Sequence, residues 1–81
     1  MANSSQDLAT RLLRLEQQLL EPSTRGDPTA LTSLLAEDIA LLIYRSTRTT
    51  TLQAATRALR SSLWVHRDNR WQMIFHQGTP I

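Results

Sequence analysis

The chain has 81 residues, and at this size a folded domain exposes about 4,900 Å², which leaves room for one domain with one thin core. It contains no cysteine, so disulfides and thiolate metal sites are excluded, and no apolar run approaches the roughly 20 residues that span a membrane. Nine basic residues, all of them arginine, oppose seven acids; the half up to Asp38 is acidic, whereas residues 39–81 hold six arginines against Asp68 alone.

Ser4-Ser5-Gln6-Asp7 has the form of a capping box. Leu8, Leu12, Leu15 and Leu19 then recur at helical spacing, widened by Leu13 and Leu20, with Arg11, Arg14, Glu16, Gln17 and Gln18 on the wet side. The spacing predicts a helix over 5–20, ended by Glu21-Pro22 because a residue before proline avoids the helical region. Asp27-Pro28 reads as an N-cap with proline at the first helical position. Leu31, Leu34 and Leu35 extend it into a second helix over 28–36.

From Ile39 the pattern changes. Ile39 to Tyr44 is an apolar run of strand length that continues into a threonine-rich stretch, giving a strand over 39–50. Ser62 to His66 and Trp71 to Phe75 flank Asp68-Asn69, two residues that tolerate a left-handed backbone, so a two-residue hairpin is expected with strands over 56–66 and 70–77. Gly78-Thr79-Pro80 reads as a tail. Residues 52–59 are compatible with a helical turn or with a loop that feeds a strand.

Counting outward from the hairpin turn puts Trp64, Trp71, Met73 and Phe75 on one face with His66 and Ser62. Leu59, Leu63, Val65 and Ile74 take the other, with Ser61 and His76. Two apolar faces are more than two short helices can cover, so a second chain is expected on one of them. The aromatic face, Trp64, Trp71, Met73 and Phe75, is the expected homodimer interface.

Chemistry is sparse. His66 and His76 fall on opposite faces, which argues against a shared metal site, and two glycines cannot build a phosphate loop. The strand half has one acid, Asp68, in the turn. His76 is read as a satisfied, partly buried histidine rather than a catalytic one. The arginine-rich half is read as packing beside the acidic half, not as a nucleic-acid surface, for no basic run or recognition motif appears.

The segment Leu59 to Pro80, with its serine-pair strand reaching Trp64, its Arg70-Trp71 start and its Phe75-His76-Gln77-Gly78-Thr79-Pro80 close, resembles the unknown-function, SnoaL-like branch of the nuclear-transport-factor-2-like superfamily. Asn69 stands where that branch carries a turn glycine. Leu12 to Asp38 is similar to the family's first two helices, and Ile39 to Arg45 to its first long central strand. Polyketide cyclases and ketosteroid isomerase belong to the same superfamily. The resemblance implies an internally shortened member, because Leu35 to Asp38 runs straight into Ile39 where longer members insert further elements. It also implies dimerisation through the sheet and a strand after the 52–59 connection, and it transfers no catalytic role.

The sequence therefore reads as one α+β domain over 1–81, two N-terminal helices on a three-stranded antiparallel sheet. The expected function is a non-catalytic dimerising scaffold or small-ligand module, without cofactor or metal, with Tyr44, Trp64 and His76 nearest any small apolar ligand. The alternatives are a degenerate cyclase- or isomerase-type enzyme with His76 or Asp38 as base, and an anion or nucleic-acid binder using the arginines. With Met1 to Asp7 lacking the basic and apolar parts of a signal peptide, the expected setting is the cytoplasm.

Overall fold

A computed structural model describes residues 4–49 and 55–81, with the side chains of Ser4 and Ser5 excepted. The capping box lies outside those described side chains, and the 52–59 connection is described only from Ala55 onward. One helix, α1 (Ser4–Leu19), is followed by β1 (Thr24–Gly26), β2 (Leu31–Ala36), β3 (Ile39–Arg48), β4 (Thr56–Arg67) and β5 (Arg70–Pro80). All pairings are antiparallel. The expected meander of three strands is present as β3-β4-β5, with β1 and β2 end to end along the free edge of β3.

The expected second helix is a correction. Its segment is β2, whose Leu31 pairs with Ile43 and Leu34 with Ala40. The chain is one helix on a five-stranded sheet, not two helices on three strands. Asp27-Pro28 is a true local signal put to another use. Asp27 Oδ1 accepts from Thr29 N at 2.8 Å and from Thr29 Oγ1 at 2.6 Å, which closes a turn rather than capping a helix. Proline has no N–H for the ladder, so the edge strand breaks there into β1 and β2. Leu31, Leu34 and Leu35, the supposed buried stripe, are all exposed. The tail is corrected as well: β5 runs on to Pro80, which pairs with Ala58.

The first helix forms where its leucines predict, but it is rotated. Ala9, Leu12 and Glu16 are buried, whereas Leu15 and Leu19 are exposed. Leucines at 12, 13, 15, 19 and 20 support two overlapping stripes, and spacing alone does not choose between them. Ala9 and Leu12 pack on Ala40, Leu42, Tyr44 and Trp64, with Leu8, Leu13, Leu20, Trp71 and Met73 at the margin. Gly26 permits the close approach of α1 to the edge strand: a Cβ there would lie 2.7 Å from Leu13 Cδ1. Gln17 locks this contact, donating to Thr24 O at 2.5 Å and accepting from Gly26 N at 2.8 Å.

The hairpin turn is the expected one. Asp68 and Asn69 have φ of 54° and 64°, the left-handed pair of a type I′ turn. Arg67 pairs with Arg70, His66 with Trp71, Val65 with Gln72 and Trp64 with Met73, as counted from the turn. Beyond that the register slips. Leu63 pairs with Phe75 and Ser62 with His76, which leaves Ile74 as the extra residue of a β-bulge. A bulge shifts every later side chain to the opposite face. His76 therefore lies on the helix side and Phe75 on the bare side, the reverse of the uniform count.

The turn is directly testable. Asn69→Gly is expected to raise thermal stability slightly, since glycine carries no penalty at positive φ. Asn69→Val is expected to lower stability by about 1–2 kcal/mol, a fall of several degrees in melting temperature for a domain of this size.

Candidate functional site

The inner face of the sheet gathers its polar residues under the last turns of α1. Period-two alternation directs Tyr44 and Ser46 of β3 and Arg60, Ser62 and Trp64 of β4 inward, in neighbouring rows: Tyr44 pairs with Arg60, and Ser62 sits between Leu42 and His76. The bulge in β5 brings His76 into the same group. Glu16 descends from α1 into the middle of it and is 0% exposed.

Its carboxylate accepts from three side chains. Ser62 Oγ donates to Oε1 at 2.5 Å. Trp64 Nε1 is shared between Oε1 at 3.2 Å and Ser62 Oγ at 3.1 Å. The Tyr44 hydroxyl donates to Oε2. His76 Nδ1 lies 3.2 Å from Oε2, buried but out of line for a hydrogen bond. On its other side the imidazole meets Arg60, whose Nη1 is 2.9 Å from His76 Nε2. Guanidinium can only donate, so Nε2 is the acceptor and the ring proton sits on Nδ1, toward Glu16. Arg60 Nε donates to the buried Ser46 Oγ at 2.6 Å. The chain of contacts thus runs from Glu16 through His76 to Arg60, the nearest cation of the cluster.

Burial pushes the Tyr44 phenol well above its ordinary value. The hydrogen bond to Glu16 and the carboxylate's charge add to the effect, and Arg60 partly opposes it.

Tyr44, Trp64 and His76, the three residues expected nearest a ligand, are thus brought together, though around a carboxylate rather than a cavity. Three cavities are described, at the β1 end of the bare face, beside α1 and near Leu31. Tyr44 lines the one near Leu31, and none of the three is lined by Glu16, Ser62, Trp64 or His76. The partner of His76 is Arg60 rather than Ser61. Asp38, the other candidate base, lies exposed in the β2–β3 turn, where its carbonyl accepts from His66 N at 2.8 Å. The four residues expected at an interface divide. Trp64 is buried in the core, Trp71 and Met73 pack on its margin, and only Phe75 lies on the bare face. Among the described residues no group of three His, Asp or Glu is placed to hold a metal ion, and no helix is long and apolar enough to cross a membrane.

Glu16 is the member that sequence reading missed, by placing it on the wet side. Its one signal was position: it falls at helical spacing from Ala9 and Leu12, on the alternative stripe. No protein-family model, curated protein or solved structure matches the chain.

Tyr44→Phe removes one donor and is expected to cost about 1–3 kcal/mol in urea unfolding. Glu16→Ala strands the donors around it and is expected to cost about 3–5 kcal/mol. Equal and negligible losses would show the network to be dispensable. Tyr44 is the only tyrosine, so its ionisation can be followed by tyrosinate absorbance. A raised folded value means the phenol's contribution to stability is complete below about pH 10, the ordinary phenol value, and falls as pH rises above it. Tyrosinate should therefore appear together with unfolding, not before it.

Proposed function

We propose that the chain is a small non-catalytic scaffold that works as a homodimer, two copies meeting through the bare face of the sheet. The observation that carries this is the state of that face. Leu31, Leu59 and Phe75 are 70%, 44% and 51% exposed, with Leu41, Ile43 and Leu63 half-buried between them. A single helix covers one side of the sheet; on this side Val65 alone among the described side chains of β3 and β4 is buried.

A second copy is the occupant that suits such a surface. Two equally twisted sheets pack face to face with aligned strands at about 10 Å, and two-fold pairing of like patches is the commonest form of assembly. This moves the interface from the aromatic set expected from sequence to the aliphatic face that includes Phe75. A relationship to the SnoaL-like branch, in shortened form, belongs to the same proposal and rests on the closing segment Leu59 to Pro80. Glu16 is fully buried and lines none of the three cavities, which favours a strut over a general base, since a base must lie within reach of a substrate.

Sedimentation at micromolar concentration is expected to give twice the chain mass. Leu59→Glu and Phe75→Glu are expected to shift it to the monomer while leaving the circular-dichroism spectrum intact, since neither side chain is in the core. A wild-type chain that sediments as a monomer at tens of micromolar would overturn the reading.

A further inference from the structure

The bare face is not apolar throughout. At its β1 end, register places Arg25 beside Thr47 and Thr47 beside Arg57. These residues form one row across β1, β3 and β4, with neighbouring strands about 4.8 Å apart. Arg45 projects from the same face two residues earlier on β3. Together they line a cleft of about 390 Å³, closed by Gly26, Asp27, Pro28 and Ile81.

Three guanidinium groups share this cleft, and none of them has an ion pair or side-chain hydrogen bond among the described residues. The arginine ion pair among the described residues joins Arg48 to Glu21. Two carboxylates border the cleft: Asp27, whose Oδ1 accepts from Thr29 and whose charge faces Arg45, and the α-carboxylate of Ile81, the last residue of the sequence. Like charges on adjacent strands of one face destabilise a sheet. Three of them around one hydroxyl make a concave field that concentrates anions.

We infer that this cleft binds a small polyanionic ligand of the diphosphate class, held by Arg25, Arg45 and Arg57 with Thr47 as the neutral donor between them. Guanidinium forks match phosphate oxygens two at a time, and three forks exceed what a single carboxylate can engage. The volume lies within the range of small-ligand sites. Pro28 and Ile81 supply an apolar wall for whatever group carries the phosphates. The cleft is lined by one chain and borders the proposed interface, since Arg45 pairs with Leu59; the Phe75→Glu chain separates the two readings.

The test is calorimetric titration with inorganic pyrophosphate, run on the wild-type chain and on Phe75→Glu. Saturable one-to-one binding in both is expected. Arg45→Ala and Arg57→Ala should each weaken it by roughly tenfold or more, since a hydrogen bond to a charged group contributes at least that much. Arg67→Ala, at the far end of the sheet, should leave it unchanged. All three arginines replaced are exposed, so their loss spares the core. Absence of binding in both proteins overturns the inference. So does an equal loss with Arg67→Ala, which marks diffuse charge attraction. Binding confined to Phe75→Glu overturns it too, by showing that the partner copy fills the cleft. A parallel titration with a short mixed-sequence single-stranded DNA decides the remaining alternative: tighter binding than pyrophosphate, weakened equally by every arginine replacement, marks a nucleic-acid surface instead.

Discussion

The fold depends on one buried carboxylate. An ion of this size removed from water costs several kcal/mol unless its lone pairs are filled, and Glu16 has no solvent contact at all. Its donors come from β3 and β4, with the His76 imidazole of β5 alongside and its own element packed across them. Meeting that requirement fixes the rotation of α1 about its axis. It also fixes the face on which Tyr44, Ser62 and Trp64 must lie, and with it the register of the two central strands. The β5 bulge belongs to the same constraint, because without the extra residue His76 would point away from Glu16.

A polar centre in so thin a core leaves little apolar area for the hydrophobic contribution. Ala9, Leu12, Ala40, Leu42 and Trp64 supply most of what is buried. Only one layer of side chains lies between the helix and the sheet. The same economy leaves aliphatic side chains exposed on the second face of the sheet. At the β1 corner that surface changes character, from leucine and phenylalanine to arginine and threonine. The proposed interface and the proposed anion cleft rest on that difference.

Much of this was legible along the chain. The helix, the three long strands and the Asp68-Asn69 turn each rest on local chemistry: leucines at helical spacing, a β-branched and aromatic run, and two residues that accept positive φ. The second helix was misread because Asp27-Pro28 serves a cap and a turn equally well. The outcome was decided by β3, whose unpaired edge took up Leu31 to Ala36. Helix rotation was misread for a related reason: Glu16 is polar, and nothing within α1 says that Tyr44, Ser62 and Trp64 wait opposite it.

Local sequence thus determined where the chain is helical, where it is extended and where its hairpin turns, since those choices are made by sterics and propensity within a few residues. Tertiary structure alone decided which helix face is buried, which residue bulges from β5, and that residues 31–36 join a sheet. Each of these depends on partners 16 or more residues away in the chain or on pairing at a strand edge, where neither spacing nor composition carries the information.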